Sequence, residues 1–159
     1  MIWLAVSADN SAAQGTELCG VDPTNGAKIC IISGDNSASL VSVSWSGAVV
    51  NGMADGPGNL TCVYKIPDKE TKVQGSAEMK AGKLNGKANL KWSNGYSYDG
   101  YFQDGLRNGQ GVFRWPDGIV YDGEWKNGTY DGYGVMKFAM RLPQSLTLTN
   151  WSPMTIVSG

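Results

Sequence analysis

Residues 98–111, YDGYFQDGLRNGQG, recur 23 positions later as residues 121–134, YDGEWKNGTYDGYG. A fixed-period recurrence constrains a fold strongly, because every copy must adopt one local structure and bury its apolar side on its neighbours. The common form is Y-x-G-x-[FW]-x-x-G-x-x-x-G-x-G. A weaker copy begins at Gly75, where Gly82 and Gly86 are kept. In that copy Gly75 stands in the Tyr place, Ala77 and Ala88 in glycine places and Met79 in the ring place. A further copy begins at Trp45 and keeps Gly47, Gly52, Gly56 and Gly58. It precedes the next copy by 30 residues rather than 23, which fits an insertion between Val63 and Lys72.

The pattern has a physical reading as strands. Alternate residues of a strand share a face, so Tyr98, Gly100 and Phe102 point one way and Asp99 and Tyr101 the other. A glycine between aromatics leaves a hollow in which a ring from the neighbouring strand can lie. Asn51-Gly52, Asp104-Gly105 and Asn127-Gly128 supply the positive φ angles of tight hairpin turns. The stretches WSNG at 92–95 and WPDG at 115–118 turn the chain between copies. Each copy therefore reads as a two-stranded hairpin, and the copies as one long antiparallel meander.

These residues resemble MORN repeats (membrane occupation and recognition nexus), whose pattern is Y-x-G-x-W-x-x-G-x-x-x-G-x-G. The match is strong at 98–111 and 121–134, moderate from Trp45 and poor from Gly75, where Glu78 and Met79 depart from it. Family members form elongated single-layer antiparallel sheets and occur in junctophilins, radial-spoke proteins and plant phosphatidylinositol phosphate kinases. The resemblance implies a scaffold that mediates protein contacts and sometimes meets anionic lipid. It implies no catalysis, since enzymes carrying these repeats have a separate catalytic domain. The expected fold is thus all-β, an elongated single-layer meander over 45–138 with non-repeat β caps at both ends. Residues 1–44 form an N-terminal edge cap, with strands in AKICIISG and SLVSVSWSG, and residues 139–159 a C-terminal cap or docking tail. Leu146, Leu148 and Trp151 suggest one more strand there.

Composition narrows the function. Histidine is absent, which removes the commonest general base and transition-metal ligand. No CxxC pair, phosphate loop or G-x-S-x-G motif is present, so no metal or cofactor is expected. Asp122 and Glu124 share a strand face and Asp99 lies two strands away, but acids beside turns more often form a solvated face. No apolar run approaches the roughly 20 residues needed to span a bilayer. The net charge is -1, which argues against a uniformly basic nucleic-acid binder.

Charge is unevenly spread, however: residues 65–91 hold seven lysines and three acids, between acidic flanks. Lys80, Lys83, Lys87 and Lys91 form a candidate patch for an anionic surface, with a merely solvated face as the alternative. The rings Trp92, Tyr98, Tyr101, Phe102, Trp115, Tyr121, Trp125 and Tyr133 form a candidate ligand or partner face, with internal packing as the alternative.

The first residues, MIWLAVSADNSAAQ, read either as the tail of a signal peptide with Val6-Ser7-Ala8 as the cleavage spacing, or as an N-terminal strand and loop. Cys19 and Cys30 bracket a turn-rich segment, where a disulfide would contribute roughly 2–3 kcal/mol; Cys62 is left over. Together these features favour a periplasmic, cell-surface or extracellular location over a cytoplasmic one. The functional expectation is a non-catalytic protein-interaction module, an accessory subunit of a larger assembly. The rival is a carbohydrate- or anionic-lipid-binding module at a cell envelope.

Overall fold

The computed structural model describes residues 15–139, and every regular element among them is a strand. The N-terminal part holds β1 (Thr16–Val21), β2 (Lys28–Ser33) and β3 (Ser39–Trp45). The repeats hold β4 (Ala48–Val50), β5 (Met53–Ile66), β6 (Lys69–Lys80), β7 (Lys83–Trp92), β8 (Ser97–Gln103), β9 (Leu106–Arg114), β10 (Val120–Lys126) and β11 (Thr129–Lys137). From β5 to β11 each strand pairs antiparallel with the next in sequence, as a meander requires. The insertion between Val63 and Lys72 is a lengthening of the β5–β6 ribbon, which stays paired out to Ile66 and Lys69.

Glycines have three duties in the repeats, the third absent from the copy at Gly75, and each has a geometric cause. The hairpin turns at 51–52, 81–82, 104–105 and 127–128 have positive φ at both central residues, as in Asn127 at 50° and Gly128 at 84°. That is the twist a two-residue hairpin needs. Farther on, each copy carries a bulge in which one residue of the first strand faces three of the second. In β8–β9 the pairing jumps from Gly100↔Gly111 to Phe102↔Arg107, and Gly109 takes up the bend with φ 83°. The same jump occurs in β6–β7 and β10–β11. Between copies, β7–β8 and β9–β10 pair without interruption.

The third duty is to seat a ring. The ring that fills the hollow is the copy's own first aromatic, lying back over its own strand, rather than one from a neighbouring strand. Tyr98 covers Gly100 and Gly111, Tyr121 covers Gly123 and Gly134, and Trp45 covers Gly47 and Gly58. A Cβ at any of these glycines would overlap the ring. Tyr98 Oη donates to Tyr101 O at 3.1 Å and Tyr121 Oη to Glu124 O at 3.0 Å, so the buried hydroxyls are satisfied.

Residues before the repeats do two separate things. β3 and β4 pair with β5 and cover its edge, together supplying the first strand of the first hairpin. The β1–β2 hairpin instead runs along the row of repeat turns. Lys28 N–H donates to Gly52 O at 2.9 Å and Cys30 N–H to Gly82 O at 2.7 Å, with parallel bridges to β5 and β7. The turns are also tied to one another: the amides of Gly82, Gly105 and Gly128 donate to the carbonyls of Ala54, Leu84 and Arg107. Cys19 and Cys30 lie opposite each other in this hairpin and form the disulfide.

Asp22, at the β1–β2 turn, is fully enclosed and fastens the hairpin to the first repeat. It accepts from the Thr24 hydroxyl at 2.6 Å, the Thr24 amide at 2.8 Å and the Trp45 amide at 2.7 Å. The Thr24 hydroxyl first, then these amides, hold its carboxyl down to about 2 against the cost of burial. A depressed carboxylate stabilises the fold above its unfolded pKa near 4, and that contribution is lost as pH falls towards 2.

The buried side chains form two clusters on the inner face. An aliphatic one joins Ile29 and Ile31 of β2 to Leu60, Val73, Met79, Leu84 and Leu90 of the sheet. An aromatic one holds Tyr98, Tyr121 and Trp125, and Trp92 and Phe102 pack against both.

Candidate functional site

The eight rings singled out in the sequence do not share one surface. Tyr98, Tyr121 and Trp125 are buried, the tyrosines in the hollows above the glycines and Trp125 packed against both of them. Their packing is edge-on: Tyr98 meets Trp125 at 5.6 Å and 90°, and Tyr121 meets Trp125 at 5.2 Å and 88°. Trp125 Nε1 donates to Gly111 O at 3.0 Å, which ties the last copy to the one before it. Trp92, Phe102 and Trp115 are half-buried against these clusters. Tyr101 and Tyr133 are half exposed, and bulge placement turns them away from the clusters.

The lysines also separate. Lys83 Nζ is 2.6 Å from Glu17 Oε1 of β1, and the Glu17 hydrogen bond and charge raise its pKa. It therefore belongs with the N-terminal hairpin rather than to a free patch. Lys80, Lys87 and Lys91 are exposed. Lys91 instead lines up with two bases that sequence reading passed over. The lateral register runs Lys91, Ser97, Arg114, Val120, Lys137, so the three cations stand on alternate strands about 9.5 Å apart. The 23-residue spacing of 91, 114 and 137 was the available signal. Asp99 and Asp122 occupy the neighbouring register, on the two intervening strands, and Asp99 accepts from Asn89 at 3.1 Å.

Two features complete the surface. β11 pairs only with β10 among the described residues, and it exposes Tyr130 and Tyr133, with Phe138 just beyond. On the inner face, a trough of about 470 Å³ lies between β2 and the sheet, lined mainly by apolar side chains. Cys62 is buried beside it, and burial pushes its thiol up to about 12, so it is an unreactive core residue.

Two-residue turns ending in glycine, a repeated bulge and, in three of the copies, a ring over paired glycines account for the repeat pattern. The family model described as MORN repeat matches residues 45–63, 76–95, 98–120 and 121–141. The chain belongs to the MORN-repeat family. Its four repeats coincide with the four hairpins, and the match to the second begins at Ser76, within the copy that lacks a ring. A comparison with curated proteins found no match. MORN repeats serve as protein- or membrane-lipid-interaction modules and are generally non-catalytic. No helix among the described residues is long and apolar enough to cross a membrane. The expected strand around Leu146 and Leu148, and both readings of the first residues, lie outside the described residues.

Proposed function

We propose that this MORN-repeat chain is a non-catalytic docking subunit of a larger assembly, and that its protein partner engages the β11 edge. The observation that carries this is the pair of exposed tyrosines on the β11 edge. Among the described residues β11 pairs with no strand but β10 and carries two exposed tyrosines, whereas the edge strands β3 and β4 at the other margin expose valines and no ring. An edge of this kind is a template for strand addition, in which main-chain bonds give affinity and flanking side chains give selectivity. Tyrosine suits such a contact because it buries large area at a small entropic cost.

A photo-crosslinking residue in place of Tyr133, expressed in the native host, tests the reading. A discrete protein adduct is expected there and none from the same residue in place of Tyr101, on the outer face of β8. Adducts from neither position, or equal adducts from both, would sink it.

A second reading rests on the row Lys91, Arg114 and Lys137. Cations near an anionic membrane contribute about 1 kcal/mol each and are screened by salt. Three of them, opposed by Asp99 and Asp122, would assist a protein contact and not replace it. Binding to phosphatidylglycerol vesicles that falls steeply with salt and disappears in a Lys91→Glu, Arg114→Glu, Lys137→Glu variant would favour this reading.

A further inference from the structure

Arg107 is the one base lining the inner trough, and its setting is unusual for a cation. Its guanidinium carbon stands 4.5 Å from the centre of the Trp125 ring, 5.1 Å from Phe113 and 5.8 Å from Tyr98. Nη2 donates to Gly128 O at 3.3 Å, and Nε is buried with no hydrogen-bond partner. Among the described residues no carboxylate lies within ion-pair distance of it. The equivalent position in the other copies holds Ala54, Leu84 and Tyr130, two places after the turn glycine, so the cation interrupts an otherwise uncharged column.

Ring faces compensate a desolvated cation only in part, and a buried charge ordinarily has an anion beside it. Among the described residues the only acid on the trough's lining is Asp35, and its carboxylate is held by the amide and hydroxyl of Ser37. A second polar atom on the same lining, Asn94 Oδ1, is also buried and unpartnered. Oxygen and nitrogen of an asparagine amide are interchangeable by a half turn, so Asn94 can equally present N–H donors. The remaining lining is mostly apolar, with Leu60, Val73, Leu84 and Leu90 on the sheet side, Ile31 on the hairpin side and five aromatic rings among them. A trough of about 470 Å³ falls within the range of small-ligand sites.

We propose that this trough binds one molecule of a medium-chain aliphatic carboxylate, with the carboxylate on the Arg107 guanidinium and the chain along the aliphatic floor. The charge of Arg107 selects the head group, and planar guanidinium favours a carboxylate that can accept two N–H bonds. The apolar lining selects the tail. The ligand enters as a free monomer, because the trough has β2 along one wall and the sheet along the other and a bilayer headgroup at Arg107 would leave its chains outside. The site is on the inner face and does not depend on the edge contact proposed above.

The test uses the full chain with three 12-carbon probes below their aggregation limits: dodecanoate, 1-dodecanol and dodecyltrimethylammonium. Titration calorimetry should give saturable one-to-one binding of dodecanoate, with both other probes at least tenfold weaker. Arg107→Met keeps an unbranched side chain against Trp125 and removes the charge. It should weaken dodecanoate at least tenfold and leave dodecanol unchanged. If that variant does not fold by circular dichroism, the head-group series on the unaltered chain decides alone. Equal affinity for the three probes, no saturable binding of dodecanoate, or binding confined to phosphatidylglycerol vesicles would each overturn the proposal.

Discussion

The copy that begins at Gly75 and the copy that begins at Tyr98 share the β7–β8 boundary, yet they fill the same inner position in opposite ways. In the second, a tyrosine ring lies over Gly100 and Gly111 and excludes any side chain there. In the first there is no ring, and Ala77 and Ala88 face each other across β6–β7 with almost no exposure. Both alanines belong to the aliphatic cluster, which includes Ile29 and Ile31 of the N-terminal hairpin. The ring and its glycines are therefore one unit: where the ring goes, the glycines need not stay. A repeat can take its inner covering from itself or from outside.

The largest effect should come from removing the ring where the copy depends on it. Tyr98→Ala empties a space that Gly100 and Gly111 cannot fill, and it deletes the bond from Oη to Tyr101 O. A loss of about 3–5 kcal/mol in urea-induced unfolding is expected, as for large-to-small changes of buried rings. A loss below about 1 kcal/mol would mean the ring is replaceable and the comparison empty.

The next effect tests the coupling itself. Gly111→Ala places a methyl group inside the contact distance of the Tyr98 ring, and overpacking of this kind should cost about 2–3 kcal/mol. In a Tyr98→Gly background, which reproduces the Gly75 arrangement, the same substitution should cost less than about 1 kcal/mol. A double-mutant cycle reads the difference as an interaction energy. Additive losses would break the claim that ring and glycine are one unit.

A smaller effect belongs to the ringless copy. Ala88→Gly there removes a packed methyl group and adds backbone freedom, for a loss of about 1 kcal/mol. The substitution makes the copy closer to the family pattern, and it should nonetheless be less stable. A gain would show that the local pattern, and not the ring, sets the residue.

Much of this was legible in the chain. The period located the hairpins, the Asx-Gly pairs located the turns, and alternation placed Tyr98 and Phe102 opposite Asp99 and Tyr101. The Cys19–Cys30 pairing was also within reach, because it closes a turn-rich segment. Less was legible wherever the answer depended on contacts between distant segments. Nothing local in β2 says that Lys28 and Cys30 will bond to the turns at Gly52 and Gly82. Lys83 looks like one of four surface lysines until Glu17 is brought to it from β1. Tyr98 and Tyr133 look alike as rings in a repeat, but regular pairing holds one in the core and a place within the β10–β11 bulge leaves the other half exposed. Arg107 reads as an ordinary charged residue beside a turn, and only the assembled rings and trough single it out.

The smallest expected effect concerns the turn of the ringless copy, and it is a gain. Three of the four hairpin turns place Asn51, Asp104 and Asn127 at φ 50°, where a short polar side chain is tolerated. The fourth places Ala81 at φ 49°, a conformation that alanine adopts at a cost of roughly 1 kcal/mol. Ala81 is exposed, so a larger polar side chain meets no packing penalty. Its amide donates to Asp55 Oδ2 at 3.2 Å, a bond that any residue but proline preserves. Ala81→Asn should therefore stabilise the protein by about 0.5–1 kcal/mol and raise the melting temperature by about 1–4 °C. Ala81→Val, with a β-branched side chain that the left-handed region excludes, should lower it by at least as much. If asparagine gave no gain while valine gave no loss, the turn at 81–82 would not be under the backbone constraint of its three counterparts. The ringless copy would then differ from its neighbour in its turn as well as in its core.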